Sequence, residues 1–100
     1  MNEEILEDIN ISILDKMLHL NRTIFIIGEI TTESAHQTKM ELLYLDQISN
    51  DDITIMIDSE GGDIYTSVSL IDIMESCKSD IVTVNIGFCA SMAAIILMSG

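Results

Sequence analysis

Two glycines and one serine, thirty residues apart, are the residues of this chain whose types could do chemistry together. Gly61 and Gly62 lie in "DSEGGD" after the apolar run 53–57, and Ser91 lies in "GFCASMAA" after a second apolar run. A glycine pair directly after a strand lets backbone N–H groups face a cleft with no Cβ in the way. A serine in the first turn of a helix holds its hydroxyl at the positive end of the helix dipole, beside the orphan N–H of the next residue, here Met92. That N–H and one from the glycine turn would give two donors to a tetrahedral intermediate, as acyl transfer requires. Plainer readings stay open at this level. Gly61-Gly62 also reads as a tight strand-to-helix turn, and Ser91 as an N-cap or small packing residue, since "CASMA" lacks both glycines of the G-x-S-x-G elbow. A nucleotide site is disfavoured: G-x-G-x-x-G and G-x-x-x-x-G-K-[ST] are both absent, and Asp58, Glu60 and Asp63 would repel phosphate.

Strands and helices must bring these groups together. Ile5, Leu6, Ile9, Ile13, Leu14, Met17 and Leu20 recur at helical spacing, which predicts an amphipathic helix within region 1–22 whose apolar stripe packs on a partner surface. "TIFIIG", 23–28, reads as a first strand closed by glycine. A helix follows from about Thr32, taken as its N-cap, through Ala35, Met40, Leu42, Leu43 and Ile48 to "SNDD". Residues 53–57 predict a second strand; Ile64, Val68, Ile71 and Met74 mark another helix; 81–86 predict a third strand; a last helix starts near Ser91. This alternation predicts the α/β class, a single domain over 1–100 with a β-α-β-α-β-α core over 23–100 and a mainly parallel sheet. Reacting groups in such a sheet gather beyond the carboxyl ends of the strands, where both motifs fall.

Composition excludes several functions. The net charge is −13, and the four cations Lys16, Arg22, Lys39 and Lys78 are scattered, so no cationic patch exists to bind a nucleic-acid backbone. Cys77 and Cys89 stand twelve apart, matching neither a redox pair nor a zinc cluster, and read as reduced cytosolic core residues. His19 and His36 have no partner at ligand spacing, so no metal is expected. The acidic start "MNEEILEDIN" is unlike a secretory or transit segment, which predicts a cytoplasmic protein. Residues 81–98 are uncharged over a length that could span a bilayer, but Asn85, Gly87 and Ser91 interrupt them and no basic flank follows, so no membrane is expected.

Order and spacing together carry a resemblance. "RTIFIIGEIT", "ITIMIDSEGGDIYTSVSLIDIM" and "DIVTVNIGFCASMAAIILMSG" resemble the N-terminal half of ClpP, the family of proteolytic subunits of ATP-dependent Clp proteases. The interval from Gly61 to Ser91 matches the family's spacing between its Ser-Pro-Gly-Gly turn and its Ala-Ser-Met nucleophile segment. The resemblance implies a ClpP/crotonase-like fold, Ser91 as the nucleophile of a serine endopeptidase, and the Gly62 and Met92 N–H groups as its oxyanion hole. It also implies that an unfolded polypeptide adds as a β-strand along Gly61, Gly62, Asp63 and Ile64. Subunits of the family form heptameric rings that stack in pairs and dock a Clp-type AAA+ ATPase. ATP belongs to that partner, so no cofactor is implied for this chain.

Departures from the family pattern shape the expectation. Glu60 replaces the proline before the glycines, which frees a fixed φ and sets a carboxylate beside the implied hole. Thr54, Met56 and Ser76 stand where the family has aromatics around its ATPase-docking pocket. The family's histidine and aspartate follow the serine beyond position 100, and His19 and His36 match no catalytic position, so a truncated form with an incomplete triad is expected. Two other readings are carried: a subunit that only assembles into rings, and a crotonase-type acyl-CoA hydratase or isomerase.

Overall fold

Isoleucine-rich runs set three strands, because β-branched side chains suit a pleated, half-buried surface. They are β1 (Thr23–Ile27), β2 (Ile53–Ser59) and β3 (Ile81–Cys89). Between them lie α1 (Thr32–Ile48) and α2 (Ile64–Ser76), and α3 (Met92–Met98) follows β3. The computed structural model describes residues 20–100; the amphipathic helix expected within 1–22 lies outside them except for its last three positions. The sheet is parallel throughout in the order β1-β2-β3, the outcome that strand–helix alternation favours.

Alternation along β2 divides the sheet into two faces. Ile53, Ile55, Ile57 and Ser59 are buried, and they join Ile24 and Ile26 of β1, Ala35, Leu42 and Leu45 of α1, Leu70 and Met74 of α2, and Ala93 and Ile96 of α3 in one core. The opposite face carries the register row Phe25–Met56–Val84 and the row Thr23–Thr54–Val82, with Phe25 and Val82 exposed. Parallel sheets are normally covered on both sides, so this second face has the character of a surface built to be covered.

One helix start differs from its expectation. α1 is capped by Thr31 and not by Thr32: the Thr31 hydroxyl accepts the Ser34 N–H at 3.1 Å while the Ser34 hydroxyl accepts the Thr31 N–H at 2.9 Å. Only Thr31 has a hydroxyl three residues on, which completes a reciprocal cap. In α2, which forms where Ile64, Val68, Ile71 and Met74 mark it, the buried positions are Ser67, Leu70 and Met74, and Ile64 and Val68 are exposed. The helix is apolar around most of its circumference, so spacing alone did not tell its inner side.

The end of the sheet opposite Ser91 is tied by one cation. Arg22, at a φ of 52°, donates from Nη1 to the Leu45 carbonyl at 2.9 Å and from Nη2 to the carbonyls of Ser49 and Asp51, both at 2.9 Å. It thereby gathers carbonyls at and just beyond the end of α1, adding a second donor to Leu45 O, which also accepts the Ser49 N–H. Beside it the Asp46 carboxylate accepts the Ser79 N–H at 2.8 Å and the Lys78 N–H at 3.2 Å. These bonds, that of Ser79 foremost, hold Asp46 below its ordinary range against the opposing effect of burial.

Candidate active site

β3 runs three residues past its expected end at Ile86, and that extension delivers Ser91. The register slips from Ile57↔Asn85 to Ser59↔Cys89, so three residues of β3 stand opposite Asp58. The Asp58 carboxylate spans the slip by accepting the Phe88 N–H at 2.9 Å, and Asn85 Oδ1 accepts the Gly87 N–H at 2.9 Å. A Cβ on Gly87 would sit 2.7 Å from the Asp58 carboxyl, so a side chain there would displace the carboxylate from its place across the slip. Beyond the slip the Ala90 N–H donates to the Ser59 carbonyl at 3.1 Å, which fixes the chain one residue before the serine.

Ser91 occupies an uncommon backbone conformation. Its φ is 53° and its ψ −127°, a region that costs a residue with a Cβ free energy and persists only where the surroundings impose it. The residue is exposed and its side chain makes no cap bond to α3, so the hydroxyl is not committed to the helix start of this strand-to-helix turn. Such a turn presents a nucleophile in hydrolases that carry the fuller glycine signature; here the strained geometry is present without those glycines.

The glycine turn lies directly against this segment. Gly61 is buried with a φ of 97°, and a Cβ there would stand 2.8 Å from the Ala90 carbonyl oxygen, 2.9 Å from Ser91 Cβ and 3.2 Å from Met92 N. A Cβ on Gly62 would collide with the Ile30 carbonyl, because Ile30 bridges this segment: its N–H donates to Gly61 O at 2.9 Å and its carbonyl accepts the Asp63 N–H at 3.3 Å. Each glycine is thus required by a close backbone approach, one on either side of the turn. Among the described residues no acceptor pairs with the N–H of Gly62 or of Met92, which leaves two free donors on the two abutting segments.

The other expected site residues lie around this point. Asp63 caps α2, its Oδ2 accepting the Thr66 N–H at 2.8 Å, and the bonds to Thr66 lower its pKa. Ile64 opens α2 and is 62% exposed, available to a ligand laid along the turn. Glu60 is exposed at the bend. Thr54 and Met56 are half-buried on the sheet face opposite the core, and Ser76 ends α2 with its hydroxyl on the Ile73 carbonyl at 2.7 Å. His36 is exposed on α1. Cys77 and Cys89 are free, half-buried and packed against the core; burial raises both thiol pKa values, with Asp46 and Asp58 adding to the effect. Among the described residues no three His, Cys, Asp or Glu side chains are grouped to hold a metal, and no helix is long and apolar enough to cross a membrane. A cavity of about 220 Å³ lies elsewhere, between β1 and α1, lined by Phe25, Ile27, Ala35 and Thr38 among others.

Sequence reasoning missed Asp58 and Ser59. The Ser59 hydroxyl is buried, donates to Gly28 O at 2.5 Å and accepts the Gly61 N–H at 3.0 Å. A signal for it existed: Ser59 shares the inward parity of Ile53, Ile55 and Ile57, and a hydroxyl at a core position must find partners. For Asp58 the sequence offers none.

Comparison with known proteins gives a consistent picture. The chain matches the family model described as Clp protease over residues 7–100. An ATP-dependent Clp protease proteolytic subunit of Bacteroides thetaiotaomicron is 36% identical over 105 residues, covering 100% of this chain and 48% of the relative. One of Bacteroides fragilis is 36% identical, with 51% of the relative covered. The crystal structure of the ClpP protease catalytic domain from Plasmodium falciparum superposes with a TM-score of 0.85 at 40% identity, covering 87% of this chain and 50% of that one. ClpP1 from Listeria monocytogenes gives 0.82 at 36% identity, covering 87% and 51%. The chain thus spans about half the length of the curated relatives it matches. Neither the assembly-only reading nor the crotonase reading is favoured by these matches.

Proposed function

Because the chain belongs to the Clp protease family, we propose that it carries the nucleophile half of a serine endopeptidase site, with Ser91 as nucleophile and the N–H groups of Gly62 and Met92 as oxyanion hole. The observation that carries this reading is the contact of the glycine turn with a strained, exposed Ser91, with an unbonded N–H on each side. Ser91 Oγ attacks a peptide carbonyl carbon, its proton passing to a base, and the carbonyl oxygen takes the negative charge between the two N–H donors. The C–N bond then breaks, the amine leaves with a proton, and water hydrolyses the resulting ester. The base is a histidine oriented by an aspartate, which the family's pattern puts after the serine, in the half of the relatives that this chain does not span.

The substrate is an unfolded polypeptide laid as an added strand along Gly61, Gly62, Asp63 and Ile64, a mode supported by the exposure of Ile64. Assembly with further subunits in a ring is supported by exposed apolar side chains at Met40, Leu43 and Ile48 on α1 and Ile64 and Val68 on α2. The sheet face opposite the core, where Phe25 is exposed beside Met56 and Val84, supports docking of a Clp-type ATPase, which uses the ATP; this chain needs no cofactor. Reduced thiols and an acidic surface fit a cytoplasmic location.

A fluorophosphonate probe with peptide mapping tests the reading. The expected result is an adduct on Ser91, slow for the chain alone, faster with a histidine-bearing family subunit and absent in Ser91→Ala. No adduct on Ser91 in either mixture would overturn it.

A further inference from the structure

We infer that Ser59 is the positioning residue of the Ser91 site, joining the glycine turn to the serine segment through its side chain on one side and its backbone on the other. The inference rests on the nucleophile reading above and extends it to a residue that touches no substrate. Ser59 ends β2 and is 1% exposed. Its hydroxyl has one donor and its acceptor capacity engaged at once: it donates to Gly28 O at 2.5 Å and accepts the Gly61 N–H at 3.0 Å. Its carbonyl accepts the Ala90 N–H at 3.1 Å. One residue therefore holds three segments: the end of β1, the turn that bears the free Gly62 N–H, and the residue before Ser91.

Its location explains why a serine, and not a fourth isoleucine, ends the inward row of β2. The Gly61 N–H is the last turn amide before the free Gly62 donor. Anchored on Ser59, it fixes the peptide plane that aims the next N–H. The same residue's carbonyl fixes Ala90, so the distance between the turn and Ser91 is set inside one residue and not through the intervening α2 and β3. Removal of the hydroxyl leaves the Gly61 N–H buried, and Gly28 O half-buried, without that partner, and the turn must shift to recover one. A misplacement of about 1 Å at a reacting centre can cost on the order of 100-fold in rate.

Three variants of the full chain test this: Ser59→Ala, Ser59→Thr, and Leu45→Ala as a core control away from the site. Labelling of Ser91 by a fluorophosphonate, in the presence of a histidine-bearing subunit, is resolved into the maximal rate and the half-saturating concentration. Ser59→Ala is expected to lower the maximal rate at least about tenfold with little change in the half-saturating concentration, and Ser59→Thr, which keeps the hydroxyl, to recover part of it. Leu45→Ala, compared at an equal interval below its melting temperature, is expected to label as the parent does. Equal maximal rates in Ser59→Ala and the parent, or an equal loss in Leu45→Ala, would overturn the inference. Amide exchange supplies an arm that needs no reactivity: in Ser59→Ala the Ala90 N–H, whose acceptor is chemically unchanged, should exchange faster relative to core amides such as Ile55. Unchanged Ala90 exchange overturns the positioning role; absence of any adduct in the parent overturns the nucleophile reading alone.

Discussion

Replacing Ser91 by glycine and by alanine should reverse the usual order of these two residues in stability. At an ordinary exposed position glycine is less stable than alanine by about 0.5–1 kcal/mol, because it loses more backbone freedom on folding. Ser91 is held at φ 53°, ψ −127°, where a Cβ costs on the order of 1–3 kcal/mol. Alanine keeps that cost and glycine removes it. The hydroxyl makes no cap bond, so neither substitution loses a native hydrogen bond at the helix start. Net of the backbone term, glycine should be more stable than alanine by about 1 kcal/mol within a span of about 0–2.5, or several degrees in melting temperature for a domain of this size at roughly 4–8 °C per kcal/mol. Urea denaturation of both variants, with equal slopes to show that the unfolded states are comparable, measures the difference. Glycine equal to or below alanine would refute the claim that strain is stored at Ser91, and with it the view that the turn is imposed by the fold around it.

Three further outcomes follow from the same structure. Gly28→Ala and Gly61→Ala both place a side chain at positive φ, but a Cβ at Gly28 meets open space while one at Gly61 meets Ala90, Ser91 and Met92; Gly28→Ala should cost about 1 kcal/mol and Gly61→Ala about 1–3 kcal/mol more, with Ser91 labelling lost only in the latter, as chemical denaturation and probe labelling would show. The folded-state pKa of Asp46 lies below its ordinary value of 3.8, so its bonds to Ser79 and Lys78 stabilise the fold above that value and are lost as pH falls through the folded one; the stability gap between the parent and Asp46→Asn in urea titrations should be full near pH 6 and close well below pH 3.8. Burial raises the thiol pKa values of Cys77 and Cys89, so iodoacetamide should alkylate both more slowly than a free thiol at pH 8 and at the ordinary rate in denaturant, read by mass spectrometry.

Much of the fold was legible because each element carried one dominant signal. The runs 23–27, 53–57 and 81–86 are β-branched and bounded by turn residues, and α1 carries Ala35 and Leu42 at helical spacing, so the parallel order followed from alternation alone. What escaped was set by contacts between distant residues. The slip that carries β3 on to Cys89 depends on the Asp58 carboxylate reaching the Phe88 N–H, thirty positions away, and no local pattern encodes it. The inner side of α2 was not legible because Ile64 and Val68 are as apolar as Leu70 and Met74; the choice lies with the neighbours, α1 and the sheet. Arg22 read as one of four scattered cations, yet its geometry makes it the clamp on the last turn of α1. For the site, spacing named Gly61, Gly62, Ser91 and Met92, whereas the strain at Ser91 and the Ser59 link exist only in three dimensions.

The central claim is that a single oxyanion can rest between the Gly62 and Met92 N–H groups while bonded to Ser91. The structure of a Ser91 phosphonate adduct tests it directly. The account predicts the phosphonyl oxygen at about 2.7–3.1 Å from both nitrogens. A phosphonyl oxygen turned to solvent, or held by other groups, would contradict it.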